Sequence, residues 1–410
     1  MDRPGALLER VGALVRAAMM GIPSLRIAMM LESDGPGGAE MMVLRLSEEL
    51  RQRGHSVVPV GPAHGAGWLG GHFRRAGFTP EVFHLKRPID PGCVRGLVNL
   101  FRQHHISAVH SHEFTMAVYG TAASRLLNLP HVITMHGGLS VTKALRRRIA
   151  LRWAMRNSDH AVTVSGATQR QFAADLGVDK SSFTIVHNGV PTPTGDASGI
   201  SAEFGINRSD CVLLAVGTLE AHKGHRFLLQ ALALLDGQGV NVPWKLIIAG
   251  GRGGDQHESL LQYVRQAGLT GRAHIVTNRD DVPDLLARAD VFVMPSLIEG
   301  LPLALLEAMH ARKAIIASVT AGIPEAIEHD RDGLMVPPGD VEALSRAIRL
   351  LLTDPARRQT LAEAAAGRAR REFTIQLMAQ RYEALYVDGF RQRIPRIAER
   401  AHENQAVAAS

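Results

Sequence analysis

Pro295-Ser296-Leu297-Ile298-Glu299-Gly300-Leu301-Pro302-Leu303-Ala304-Leu305-Leu306-Glu307-Ala308-Met309 follows the apolar run Val291–Met294, and this stretch decides how the chain is read. The run is strand-sized, the polar turn carries Glu299 and Gly300, and a helical pattern opens at Pro302. Proline suits a first helical position, where its missing N–H has no partner to lose. Gly300 has no side chain to obstruct a ligand. The N–H groups of the opening turn, Pro302 apart, then offer a place for a phosphate or diphosphate. Glu307 lies further along the same helix, where its carboxylate can accept two hydrogen bonds from vicinal ribose hydroxyls. A helix start with a surface Glu explains the spacing of the two glutamates alone. It does not explain Ser296, Gly300, Pro302 and the apolar helix in register with them.

Outward from this segment, short apolar runs alternate with helical patterns in both directions. Strands are expected at Leu25–Leu31, Ser56–Val60, Ile106–His110, His131–Thr134, Ala161–Val164 and Phe183–Val186, with a helix over Ala39–Arg53. A Pro- and Gly-rich stretch, Gly189–Asp196, interrupts the alternation and reads as an interdomain connection. It resumes with strands at Val212–Val216, Trp244–Ala249, His274–Thr277, Val291–Met294 and Ala314–Ala317, and helices that include Arg226–Leu235. The pattern implies an α/β protein with two Rossmann-like, doubly wound parallel-sheet domains facing a central cleft. A length of 410 residues also exceeds what one core usually serves. The expected boundaries are 24–190 for the N-terminal domain, 191–208 for the linker and 209–373 for the C-terminal domain. Residues 374–390 form a C-terminal helix able to pack back on the first domain. Beyond about Arg391 a polar tail is expected, and Leu7–Arg16 suits a short amphipathic helix better than a secretion signal.

Composition narrows the function. Charged residues make up 21% and the formal net charge is +7, which favours anionic partners. Aromatics are only 5% and no zinc-finger or stacking motif is present, so nucleic acid is not expected. Cys93 and Cys211 fall in different domains, which excludes a disulfide framework and fits a reducing cytoplasm.

Three further elements bear on chemistry. In Val216-Gly217-Thr218-Leu219-Glu220-Ala221-His222-Lys223-Gly224-His225, a strand enters a glycine turn and Lys223 precedes a helix. Lys223 can set a positive charge against a departing diphosphate without a metal. Gly35-Pro36-Gly37-Gly38-Ala39-Glu40 follows the first strand, and Gly37 and Gly38 allow close backbone approach across the cleft. Glu40 stands where the third glycine of a dinucleotide fingerprint belongs, and Gly250–Gly254 fails in the same way with Gln256, so a nicotinamide enzyme is the lesser reading. His112 and His136 end strands; a terminal histidine is often only structural. No Asp-x-Asp or His/Cys spacing implies a metal.

Glu299 through Glu307 resembles the Glu-x7-Glu element of retaining glycosyltransferases of family 4, which have the two-domain GT-B fold. The likeness runs from about Leu25 to Tyr386, with Asp290–Ser296, Ala321–Glu325 and Asp332–Val336 similar to the usual flanks. The resemblance implies transfer of a hexose or related sugar, with retention, from a nucleoside diphosphate sugar to an acceptor hydroxyl. UDP-sugar is favoured over GDP-sugar. Lys223, Glu299 and His136 would act at the reacting centre. Gly37, Gly38, Gly300, Leu301, Pro302, Leu303 and Glu307 would bind the donor, with no cofactor or metal. The family usually has Arg directly after Gly217; Thr218 is there instead, so either Lys223 acts with less help or another cation, such as Arg252 or Arg279, compensates. Competing readings are a sugar-nucleotide epimerase and a catalytically idle sugar-nucleotide binder. The acceptor would be a glycan or lipid-linked molecule in cell-surface glycan or glycolipid synthesis. Lys143–Trp153 mixes arginines with Leu, Ile and Trp, which suggests a cytoplasmic protein held peripherally on the anionic inner face of a membrane. A solvated face on a covering helix explains that pattern equally well.

Overall fold

Continuous apolar runs, buried on both faces, build two parallel sheets in the computed structural model, which describes residues 24–62, 67–137, 144–239, 242–251 and 255–393. The N-terminal sheet contains β1 (Arg26–Met30), β2 (Ser56–Pro62), β3 (Glu81–Phe83), β4 (Ala108–His112), β5 (His131–Met135), β6 (His160–Thr163) and β7 (Thr184–Ile185). Their order is β3-β2-β1-β4-β5-β6-β7. The C-terminal sheet contains β8 (Cys211–Val216), β9 (Trp244–Gly250), β10 (Ala273–Thr277), β11 (Val291–Met294), β12 (Ala314–Ser318) and β13 (Leu334–Val336), in the order β10-β9-β8-β11-β12-β13. The strand order therefore reverses once in each sheet, between β1 and β4 in the first and between β8 and β11 in the second. Helices joining the strands cover both faces.

Several boundaries differ from the sequence reading. The strand expected at Ile106–His110 lies two residues later, so His110, Ser111 and His112 are all inside it and fully buried. The three-residue strands β3 and β13 are too short to show a periodicity. A helix, Ser198–Glu203, falls within the range read as linker. Cys93 and Cys211 are buried and unbridged. The N-terminal segment Leu7–Arg16, the tail beyond residue 393 and Lys143 lie outside the described residues.

The chain passes between the domains twice, and the two passages lie side by side. Val190 N donates to Phe373 O (3.0 Å), and Ile375 N donates to Val190 O (3.2 Å). A side chain on Gly189 would overlap the Thr374 carbonyl. Thr374 caps the helix Ile375–Arg391, its hydroxyl accepting from Leu377 N at 3.2 Å. This helix packs against Gly38–Gln52 and β5 of the N-terminal domain. Its fully buried Tyr386 hydroxyl lies 2.8 Å from His110 Nδ1, while His110 Nε2 lies 2.8 Å from Thr134 Oγ1. Thr134 Oγ1 is in turn 3.1 Å from the Tyr382 hydroxyl. One ring nitrogen of the buried His110 is thus satisfied by a helix from the far end of the chain.

Glu383, on the same helix, pairs with Arg53 and lies 2.8 Å from His55 Nε2. Burial alone would raise its carboxyl, but hydrogen bonds from Arg53 and His55 outweigh this and hold it below the ordinary glutamate value. A lowered carboxyl adds stability that is complete above the unfolded value, ~4.3, and is lost as pH falls through the folded value. Glu383→Gln should therefore lower stability at pH 7 by about 1.5–3 kcal/mol in urea denaturation. The gap to wild type should shrink below pH ~4. A gap of the same size at both pH values would remove Glu383 as the charged clasp of this helix.

Candidate functional site

The two reversal points face each other, and the loops that leave the strands there form a cleft. From the N-terminal sheet come the glycine loop after β1, Glu113 after β4 and His136 after β5. From the C-terminal sheet come Gly217–Gly224 after β8 and Pro295–Leu301 after β11. The glycine loop reaches the opposite domain: a Cβ on Gly251 would stand 3.6 Å from Pro36 O and 3.7 Å from Thr218 Cγ2. Gly37 precedes the first residue of the helix Gly38–Gln52, and a side chain there would overlap the Glu40 carboxylate, whereas Gly38 faces open space.

Lys223 and Glu299 meet directly. Lys223 Nζ donates to both carboxylate oxygens, at 2.9 and 3.0 Å, and Ser296 Oγ donates to Oε1 at 2.7 Å. The local backbone dictates this meeting. Gly224 has φ +69° and stands against the Pro295 carbonyl, where a side chain would collide. Leu297 N donates to His222 O at 2.7 Å, so the two loops are joined. The buried His225 lies 3.2 Å from Thr218 O and closes the turn from the other side. The Lys223 stem lies across Gly217, whose Cβ would be 3.6 Å from Lys223 Cδ.

At Gly300 the backbones of the two domains come close together. A side chain there would overlap the His136 carbonyl, and its own carbonyl accepts from Gly322 N at 2.9 Å. Leu301 O accepts from Asn188 Nδ2 (2.8 Å), a second link across the seam. Pro302 is not the first helical residue. It stands one place earlier with ψ 129°, and the helix is Leu303–His310. An extended ψ at Pro302 turns the chain out of the Gly300 contact before the helix begins. Leu303 is buried in the core. Glu307 pairs with Arg45 of the helix Gly38–Gln52, so it too faces the opposite domain.

On the N-terminal side, His136 Nε2 lies 2.9 Å from His112 Nδ1, so the structure brings the two histidines together. Burial lowers His136 to about 4, and burial together with neighbouring His110 holds His112 well below the histidine range.

Glu113 is a residue the sequence reading missed. It has φ +63°, which is rare for a side-chain-bearing residue, and accepts a hydrogen bond from His136 N at 3.1 Å. Burial raises its carboxyl to about 7, with Glu40 and Glu32 adding to the shift against the His136 hydrogen bond. The only signal in the sequence is an acid directly after a histidine-bearing strand end. Glu325 was also missed as a cross-domain group: it accepts from Gly166 N and Ala167 N, both at 2.8 Å, at the start of the helix Gly166–Leu176.

Arg279 is paired with two carboxylates, neither of them Glu299. Its guanidinium is held by Glu203 and Asp281, for example Nε to Asp281 Oδ1 at 2.7 Å. Arg252 lies outside the described residues. Among the described residues no group of three or more His, Cys, Asp or Glu is placed to hold a metal ion.

Two family models match, "Glycosyltransferase Family 4" over residues 36–193 and "Glycosyl transferases group 1" over 198–368. The chain is 29% identical over 302 residues to a glycogen synthase of Mycobacterium tuberculosis, covering 70% of this chain and 71% of the relative. It is 24% identical over 326 residues to an Escherichia coli UDP-Gal:alpha-D-GlcNAc-diphosphoundecaprenol alpha-1,3-galactosyltransferase, covering 77% and 84%. Among solved structures, Anabaena HepE in complex with UDP superposes with TM-score 0.74 at 23% identity, covering 87% of this chain and 98% of that one. Two domain models in tandem, a pair of reversed parallel sheets and a cleft between their switch points agree: the chain belongs to the group 1, family 4 glycosyltransferases, enzymes of GT-B fold.

Proposed function

We propose that this glycosyltransferase moves a hexosyl group, with retention, from a UDP-sugar to an acceptor hydroxyl, without a metal. One observation carries the reading: Lys223 and Glu299 stand side by side at a switch point, next to the close contact of Gly300 with His136. A cation and a carboxylate so placed suit a diphosphate and a sugar hydroxyl that are themselves neighbours. In this reading Lys223 and the Gly300–Leu303 backbone hold the diphosphate, and Glu299 and His136 hold the sugar. Glu307 takes the ribose, with Arg45 giving up or sharing its carboxylate. HepE has been solved with UDP and with UDP-glucose, which supports a UDP-sugar over a GDP-sugar.

The acceptor oxygen forms a bond to the anomeric carbon as the bond from that carbon to the phosphate oxygen breaks. The acceptor proton passes to the departing phosphate on the same face. Such a reaction needs mainly positioning and charge stabilisation.

The acceptor is a glycan or lipid-linked molecule of the cell surface, and the protein works from the cytoplasmic face of the membrane. The helix Leu145–Asn157 supports this. Leu145 (69% exposed), Ile149 (60%) and Trp153 (40%) form an apolar stripe at every fourth residue. Arg146, Arg148, Arg152 and Arg156 flank it, and no acid occurs in the helix. An apolar stripe edged by arginine matches an anionic lipid surface. No helix among the described residues is long and apolar enough to cross a membrane.

Incubation with a panel of UDP- and GDP-sugars and lipid-extracted acceptors, with product anomers read by NMR, tests the activity. Retained transfer from a UDP-sugar is expected; epimerised donor, or binding with no turnover, would overturn it. Turnover should survive EDTA, and complete loss restored by Mn²⁺ would overturn the metal-free reading.

Lys223→Ala should lower turnover roughly a hundredfold or more, since a preorganised charge at the leaving group contributes about 3–4 kcal/mol. It should also lower stability by about 1–3 kcal/mol, because the buried Glu299 carboxylate keeps only Ser296. Near-normal turnover in a folded variant would return Lys223 to a structural ion pair.

Arg146, Arg148 and Arg152 changed together to Gln should weaken binding to anionic vesicles at low salt and leave donor affinity unchanged. Wild-type protein that ignores such vesicles would leave the solvated face as the answer.

A further inference from the structure

What His136 can offer a ligand depends on which ring nitrogen carries its hydrogen, and three neighbouring groups decide that. Met29 lies in β1, buried, with its sulfur 3.1 Å from His112 Nε2. A thioether has no hydrogen to give, and two opposed lone pairs at that distance would repel, so His112 Nε2 bears the hydrogen. His112 is fully buried, its ring 4.1 Å from that of His110 between centroids. Burial, and second the neighbouring His110, keep it neutral near pH 7. A neutral imidazole with its hydrogen on Nε2 has a bare Nδ1. That Nδ1 faces His136 Nε2 at 2.9 Å, so His136 Nε2 is the donor of the pair. His136 is also neutral, held at about 4 by burial, and its own Nδ1 is therefore bare. The pair cannot slide: His110 beneath it is held by Tyr386 and Thr134, and Glu113 accepts from the His136 backbone.

We propose that Met29 and His112 are positioning residues that lock His136 as its Nε2–H tautomer, so that Nδ1 accepts a hydrogen bond from one hydroxyl of the donor sugar. This rests on the reading that His136 touches the donor sugar. It adds a direction to that contact: the sugar must give the hydrogen, and an acceptor-only group at that position is refused.

Long-range ¹H–¹⁵N correlation spectra of the histidine-labelled full chain read the tautomers without any ligand. Both His112 and His136 should be Nε2–H forms and stay so from pH 6 to 9; an Nδ1–H form of either would overturn the lock. Met29→Leu conserves volume and should fold, which thermal melting checks. In that variant His112 should show an Nδ1–H population, and kcat should fall about fivefold while the affinity for UDP alone stays the same. An unchanged tautomer would mean that the sulfur does not hold it.

UDP-glucose fluorinated at one hydroxyl at a time supplies the last arm, because fluorine accepts but cannot donate. One position should lose about tenfold in wild type and lose nothing further in His136→Ala. If no position behaves so, Nδ1 is not the sugar's acceptor and the proposal falls. If, in addition, the His136 signals do not move when UDP-glucose is added, the donor contact itself is wrong, whatever the tautomer.

Discussion

The structure depends on one close approach of backbone to backbone. At residue 300 the His136 carbonyl occupies the space a side chain would need, while the Gly300 carbonyl is itself taken by Gly322 N. Only glycine permits the first contact, and a side chain on Gly322 would overlap the Gly300 carbonyl. The loops after β5, β11 and β12 are thereby drawn to one point. Asn188 with Leu301, Arg45 with Glu307, and Glu325 with the helix Gly166–Leu176 then cross the same seam within reach of it. Any side chain at 300 would separate these partners together, because they share one spacing between the domains.

Charge around the cleft is divided unevenly. The C-terminal side pairs its cation with a carboxylate, Lys223 with Glu299, and Ser296 completes that group. On the N-terminal side Glu113 has Glu40 and Glu32 as charged neighbours and a backbone N–H as its hydrogen-bond donor. A raised carboxyl there follows from burial first and from like charge second. The histidines beside it stay neutral for the same reason, burial. The two walls therefore differ in chemistry: one holds a fixed ion pair, the other neutral histidines beside a carboxyl raised to about 7.

How far this was legible in the sequence depended on where each residue found its partner. Runs such as Val291–Met294 and Cys211–Val216 announce buried parallel strands because both faces are apolar, and the Glu299–Glu307 turn and helix could be placed from local pattern alone. The register of β4 could not. The strand expected to stop at His110 runs on to His112, and His110 has its partner in the Tyr386 hydroxyl, 276 residues away. The charge partners of Glu307 and Glu325 were hidden for the same reason: both lie in the other domain. Glu113 was missed because its mark is a left-handed backbone, which no residue-type pattern reports. Pro302 was misplaced by one because proline fits equally well just before a helix when its ψ is extended.

The paired passages at Val190 and Thr374 have a mechanical consequence. A single covalent thread between two bodies behaves as a swivel and leaves all three rotations open. Here two threads run in parallel, tied by backbone hydrogen bonds, and the second continues into a helix fixed to the first body by Tyr382, Glu383 and Tyr386. Twisting one domain about the line that joins them would shear those bonds, whereas bending across the pair leaves them intact. The paired passages therefore oppose twisting more than bending, and a jaw-like bend is the motion that keeps their hydrogen bonds.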